Sequence, residues 1–310
     1  MDLTIVIVNW NTRDLLRECL NSVFTHVRDV TFEVFVVDNA SRDGSAALVR
    51  GTFPDVRLIA NESNVGFSCA NNQAIRQATG EFILLLNPDT MLVEDAFSPL
   101  VRLLREQGEI GAIGPKVVNP DGVTVQYVCA RRLPSLFFSF CHISGLARRF
   151  PRSSLFGGEV LSFWDHQTSR DVEALLGACM MVRRTAIDQI GLMDENQFMY
   201  GDDVDWCKRL LDGGWSIFYD ADVKIIHYGG ESAGQVPLEM SLAVMKAVRY
   251  YFRKHHGRWQ AFLFCVMVFV ISCLKYAWRK VEGRTAERML LAEKDRLLAA
   301  WSLRAMVRPW

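Results

Sequence analysis

Four short runs, residues 3–8, 32–37, 56–60 and 82–86, are almost wholly apolar and rich in Val, Ile, Leu and Phe. Runs of that length without polar alternation read as strands buried on both faces. Between them lie segments of helical length: 13–24 after a candidate cap at Thr12, 45–53, and 69–78 closed by Gly80. Strand and helix alternate, which implies right-handed βαβ units and an α/β fold with a mainly parallel central sheet. Ligands in such sheets bind beyond the carboxyl ends of the strands. Here those ends are polar: Asn9-Trp10-Asn11, Asp38-Asn39-Ala40-Ser41, Asn61 with Asn64, and Asn87-Pro88-Asp89.

Residues 110–169 follow no regular period and stay unassigned; they hold Pro115, Pro120, Pro134 and Pro151 and the basic pairs Arg131-Arg132 and Arg148-Arg149. Order returns at 173–184. A helix then begins near Asp203 and stops at Gly213-Gly214, followed by a strand through Ile217 and another over 223–227. Residues 261–274 are apolar and read as helix, short for a membrane span, while an extension to 259–278 takes in Gln260 and Lys275. Arg253, Lys254 and Arg258 precede this segment, and Lys275, Arg279 and Lys280 follow it. Basic flanks on both sides suit a segment lodged in one leaflet. The alternative is packing on the catalytic domain or on a second copy of the chain, which would make a homodimer. Residues 284–306 carry Leu290, Leu291, Leu297, Leu298 and Trp301 among charges, an amphipathic pattern.

Composition sharpens this division. The net charge of zero hides an asymmetry: from Lys246 onward there are fourteen Lys and Arg against four acids, and before it twenty-one against thirty-one. We therefore expect an acidic α/β domain over 1–240 and a basic, membrane-associated helical tail over 241–310. The basic tail does not point to nucleic acid, because no stacking platform or recognition motif accompanies it and the body is acidic. Eight cysteines without a C-x-x-C pair fit a reducing compartment, and the N-terminus shows no basic, apolar and small-residue succession of a secretion signal.

Three groups could carry chemistry. Asp38, ending the second strand, can accept hydrogen bonds from a nucleoside ring or ribose, or simply form a turn. The absence of G-x-G-x-x-G after Val8 argues against a dehydrogenase. Asp89, with Asn87 before it, sits where a hard divalent cation could lie between protein and diphosphate, and His227 is a candidate second ligand through a neutral imidazole nitrogen. Asp202-Asp203-Val204-Asp205 opens a helix, where acids serve as caps or, held ionised by the helix N-terminus, as a general base.

Taken together, these stretches resemble inverting family 2 glycosyltransferases, and among them the rhamnosyltransferase-like branch. The likeness runs through Thr4 to Asn11, Val36 to Ser41, Asn64-Val65-Gly66-Phe67 with Ala70-Asn71-Asn72, and Leu84 to Thr90. It continues through Gly114-Pro115-Lys116, Gly177 to Arg183, Phe198 to Asp205 and His227-Tyr228-Gly229-Gly230. It covers roughly residues 3 to 235 and implies a GT-A fold, with a catalytic domain over 1–240 that is nucleotide-binding in 1–115 and acceptor-facing in 116–240. By that resemblance Asp38 contacts the nucleoside, while Asn9, Asn64, Asn71 and Asn87 line the nucleotide-sugar cleft. Asp89 and His227 hold a divalent metal (Mg or Mn), Asp203 is the catalytic base, and Gly177 and Asp202 lie on the acceptor side. Two positions depart from the pattern: Asn87 stands where an acid is usual, and Asp202 where Glu is usual. The resemblance implies dTDP-rhamnose as donor and a glycan or lipid-linked glycan as acceptor, at the cytoplasmic face of the cell membrane, in cell-surface polysaccharide synthesis. A nucleotidyltransferase and a non-catalytic sugar-nucleotide-binding partner are the competing readings.

Overall fold

The computed structural model describes residues 1–229, 237–281 and 286–307, so Gly230 of the His227 motif lies outside the described residues. In chain order the elements are β1 (Leu3–Asn9), α1 (Arg13–His26), β2 (Phe32–Asp38), α2 (Ser45–Thr52), β3 (Val56–Ala60), α3 (Phe67–Ile75), β4 (Phe82–Leu86), β5 (Thr90–Met91), α4 (Phe97–Glu106) and β6 (Ile110–Val118). Then come β7 (Ala130–Arg131), α5 (Leu136–Ser144), α6 (Leu146–Arg149), β8 (Arg170–Asp171), β9 (Ala174–Leu175), β10 (Cys179–Arg183), α7 (Arg184–Ile190), α8 (Asp202–Asp212) and β11 (Ser216–His227). Helices α9 (Pro237–His256), α10 (Arg258–Val281) and α11 (Ala286–Val307) close the chain.

The chain forms two compact units: Met1–Leu133 with Trp164–Gln235, and Pro134–Phe163 with Val236–Trp310. Residues 134–163, assigned by sequence to the acceptor-facing part, thus cluster with the C-terminal helices, and the boundary expected at 240 falls inside α9.

The first unit is built on a sheet ordered β3-β2-β1-β4-β10-β6-β11-β5, with β8 alongside β11. The four strands read from apolar runs are mutually parallel, and the chain reverses in β10, antiparallel to both β4 and β6. β1 is buried along nearly its whole length and β4 along all of it, which is why they lack polar alternation. Truncating a residue such as Ile5 or Leu84 to alanine in such a core costs about 2–5 kcal/mol. Gly80 is needed for contact between neighbouring segments: a Cβ there would stand 2.5 Å from the Thr4 nitrogen.

Register aligns the chemistry. Asn9 lies opposite Asp38, Leu86 opposite Ile7, Cys179 opposite Leu86, and His227 opposite Thr90. The polar strand ends and the residues preceding β10 therefore share one rim.

Several local expectations change. Thr12 does not cap α1 with its side chain; its hydroxyl donates to Asn9 Oδ1 (2.7 Å) instead. The two strands expected near 217 and 223–227 are one strand, β11, whose register shifts between Asp220 and Lys224. The amphipathic α4, absent from the sequence reading, buries Phe97, Leu100, Val101 and Leu104. α11 is not amphipathic in the ordinary sense, since Met289, Leu290 and Leu303 are exposed while Asp295 and Ser302 are buried.

In the second unit, α10 is long and apolar enough to cross a membrane, and a third of its most apolar window is buried. It packs on α5, α9 and α11.

Candidate functional site

The loops after β1, β2 and β3 enclose an open cavity of about 650 Å³. Trp10 and Asn11 come from the first loop, Asn39 to Arg42 from the second, and Glu62, Ser63 and Asn64 from the third. Beneath it, Asn9 Nδ2 donates to Asp38 Oδ1 (3.0 Å) and Ser41 Oγ (3.1 Å), while the Ser41 amide donates to Asp38 Oδ2 (3.0 Å). Asn9 and Asp38 are buried, so they brace the pocket loop from below rather than line the cavity. Asn11 and Ala40, both at its wall, hold positive φ (54° and 62°), a backbone that side chains adopt at a cost and that the surrounding bonds must maintain. Asn64 lines the cavity and accepts from the Gly66 amide (3.0 Å). Asn71 does not line it: its side chain donates to the Phe67 carbonyl one turn back in α3 (2.9 Å).

Farther along the rim, His227 Nε2 lies 3.2 Å from Asp89 Oδ1 and 3.3 Å from Asn87 Nδ2. The tautomer follows from the neighbours. Gln126 Nε2 donates to the backbone carbonyl of His227 (2.8 Å) and to Asn119 Oδ1 (2.9 Å), so Gln126 Oε1 is the acceptor for His227 Nδ1–H at 2.9 Å. In the neutral ring Nε2 then carries one lone pair, which either accepts from Asn87 Nδ2 or points, with Asp89 Oδ1, at a shared cation. Two acceptors at 3.2 Å repel unless a proton or a cation sits between them. Cis ligands on an octahedral ion at roughly 2.1 Å lie about 3.0 Å apart, so the pair fits a divalent metal, with Gln126 orienting the imidazole. Among the described residues no three His, Cys, Asp or Glu side chains form a fuller cage, so phosphate and water oxygens would have to complete the shell.

The third cluster is at the start of α8. Asp203 Oδ2 accepts from Arg131 (2.8 Å) and from the Gly177 amide (3.2 Å), and Oδ1 accepts from the Val204 amide (2.8 Å). The residue after Gly177 ties this cluster to the previous one, because the Ala178 carbonyl accepts from the Asn87 amide (2.9 Å). Asp205 faces away from this chemistry, paired with Arg209 (3.0 Å). Gly66 is required by proximity, since a Cβ there would stand 2.7 Å from the Phe198 carbonyl and φ is +86°.

The model of glycosyl transferase family 2 matches residues 4–159, half of the chain. The chain belongs to glycosyltransferase family 2. It is 29% identical over 239 residues, 73% of this chain and 76% of the other, to the N-acetylglucosaminyl-diphospho-decaprenol L-rhamnosyltransferase of Mycobacterium tuberculosis. It is 24% identical over 302 residues, 96% of this chain and 88% of the other, to the low-salt glycan biosynthesis hexosyltransferase Agl10 of Haloferax volcanii. The structure aligns with a mannosyltransferase of Pyrobaculum calidifontis solved with GDP-Man and Mn2+, at a TM-score of 0.58 and 18% identity, covering 98% of this chain and 83% of that one. The fold of this glycosyltransferase is GT-A.

Sequence reading missed two partners in the glycosyltransferase, Arg131 and Gln126. Arg131 stood out only as part of a basic pair, and Gln126 carried no signal, since its role depends on lying opposite His227.

Asp202 differs sharply from its neighbour. Burial, and then the adjacent Asp203 carboxylate, push its carboxyl up to about 7, against the opposing bonds from the backbone amides of Asp202 and Asp203 (3.2 Å for the latter); Ser68 Oγ lies at 3.5 Å. The folded state therefore binds this proton more tightly than the unfolded chain. Its cost to stability is absent below the unfolded value of 3.8, grows as pH rises to about 7, and is constant above. Asp202→Asn is expected to melt a few degrees above the parent glycosyltransferase at pH 8, with a smaller difference at pH 5. Equal differences in differential scanning fluorimetry at both pH values would remove the proton from Asp202.

Proposed function

We propose that this glycosyltransferase is an inverting, metal-assisted enzyme that moves L-rhamnose from dTDP-rhamnose to a glycan or lipid-linked glycan acceptor. It would act at the cytoplasmic face of the membrane, in cell-surface polysaccharide synthesis. The observation that carries the reading is the Gly177-Ala178 link. One residue's N–H holds Asp203 and the next residue's C=O holds the Asn87 amide, so a carboxylate base and a cation-binding pair stand side by side on the rim that also bears the cavity.

In this reading the nucleoside enters the cavity, against Trp10 and the loop that Asp38 and Asn9 brace, and the diphosphate extends toward Asp89 and His227. A bound Mg2+ or Mn2+ would neutralise the charge that builds on the departing diphosphate. Asn87 adds no charge, so among the described residues Asp89 is the carboxylate that would face that ion. Asp203, fixed by Arg131 and two backbone amides, takes the acceptor hydroxyl proton. Attack from the face opposite the leaving group inverts the anomeric carbon, with no sugar bound covalently to the protein. The rhamnosyltransferase named above supports the donor assignment, and the mannosyltransferase solved with Mn2+ supports the metal.

A donor panel tests it: dTDP-rhamnose, UDP-glucose, UDP-N-acetylglucosamine and GDP-mannose, each with Mn2+ or Mg2+ and a membrane extract as acceptor. Release of dTDP at least tenfold faster than UDP or GDP is expected. A faster reaction with another donor overturns the sugar assignment. Tight donor binding with no turnover on any acceptor would favour the non-catalytic reading, and formation of a nucleotide sugar from a nucleoside triphosphate the nucleotidyltransferase.

A further inference from the structure

The acceptor reading above places this enzyme at a membrane, and the following rests on that reading. We infer that the inserted segment Pro134–Phe163 joins the C-terminal helices as one membrane-docking unit, which seats exposed aromatic and aliphatic side chains in a single leaflet of an anionic bilayer.

Charge separates by compact unit more cleanly than along the chain. The unit of Pro134–Phe163 and Val236–Trp310 holds seventeen Lys and Arg against six acids, and the other unit eighteen against twenty-nine. The net charges are thus eleven positive and eleven negative. The insert contributes directly to the basic side: Arg148, Arg149 and Arg152 are exposed, interleaved with exposed Phe150 and Leu155, and follow exposed Phe137 and Phe140 of α5.

Two helices of this unit, α10 and α11, turn apolar side chains toward the outside. On α11 the buried stripe is Ala292, Asp295, Leu298, Ala299 and Ser302, while Met289, Leu290, Leu303 and Val307 face outward. On α10, Phe264, Cys265, Val268 and Ser272 are buried, yet the outer face repeats Trp259, Leu263, Val270, Leu274 and Trp278. Those five follow intervals of four or seven, a single helical face, and Trp259 and Trp278 are 78% and 63% exposed. A solvent-facing helix carries polar residues there. Aromatic rings beside Arg and Lys match the level of lipid headgroups.

A full span of α10 does not fit its own contacts. Arg279 pairs with the buried Asp295 of α11 (3.1 Å), and Lys275 Nζ donates to the Ile143 carbonyl at the end of α5. These charges tie its C-terminal third to α5 and α11 and hold it near the headgroups, since burying them in hydrocarbon is costly. The excess of positive charge then selects an anionic surface.

The test uses the full chain in vesicle co-sedimentation, with phosphatidylcholine alone and with phosphatidylcholine plus phosphatidylglycerol. The wild type is expected to bind the anionic vesicles at least tenfold more tightly and to be released by about 0.5 M salt, where screening is short-ranged. The exposed triple substitution R148Q/R149Q/R152Q should lose at least fivefold on anionic vesicles only, and F137S/F140S should lose affinity for both kinds. Unchanged donor binding and circular dichroism show that each variant is folded. If both insert variants bind like the wild type while L263E/L274E does not, the insert has no part in docking, although the tail's membrane attachment stands. A wild type that stays in the supernatant with both vesicles, including one that pairs with a second copy by light scattering, overturns the membrane reading itself. Binding indifferent to lipid charge and salt overturns the electrostatic selection.

Discussion

Replacing Asp203 by asparagine is expected to lower kcat by a factor of about 10²–10⁴, the range that a positioned base contributes. Its carboxylate already accepts bonds from Arg131, Gly177 and Val204, which fix its direction and leave room on Oδ1 for one further donor, the acceptor hydroxyl. Asparagine keeps the shape but cannot take a proton, and one of its two ends must present N–H to a site built of donors. The affinity for the nucleotide sugar should change less than threefold, because no contact to the cavity passes through Asp203. Steady-state rates with saturating donor, alongside isothermal titration of that donor, separate the two effects. A kcat within threefold of the parent removes Asp203 from the base role, whatever happens to stability.

Asp89→Ala is expected to abolish stimulation by Mn2+ and to reduce kcat/KM by a factor of at least about 10², a loss of the electrostatic stabilisation of a leaving diphosphate. Chelation of the wild type should have the same consequence, reversed by adding metal back. His227→Ala should cost less than Asp89→Ala, because it removes a neutral ligand and leaves the charged one. Gln126→Leu, remote from the substrate, should weaken metal affinity about 10–100-fold by freeing the imidazole to rotate. Activity titrated against Mn2+ reads all three. Full activity of Asp89→Ala in chelator would show that the pair at 3.2 Å serves only structure.

Much of this site was visible before any coordinates. The ends of β1, β2 and β4 were legible because strands buried on both faces read as unbroken apolar runs, so the first polar residue after each marks the rim. Asn9, Asp38 and Asn87 follow from that logic alone, with Asp89 two residues farther on. Their exact employment does not: Asn71, read as a cleft residue, is spent on the Phe67 carbonyl, and Asp38 supports the cavity from beneath rather than facing it.

What the sequence determined by itself was the alternation of apolar runs and helical segments, hence the parallel half of the sheet and the polar strand ends, and, separately, a family resemblance carried by the order of its motifs. The first depend on periodicity and local composition and the last on specific residues, all written along the chain. Only the tertiary structure decided that Arg131 meets Asp203, that Gln126 sets the tautomer of His227, and that residues 134–163 belong with the C-terminal helices. Those pairings span from 72 to more than 100 residues and depend on the register of β10 and β11 and on which helix face is covered. No local pattern encodes either.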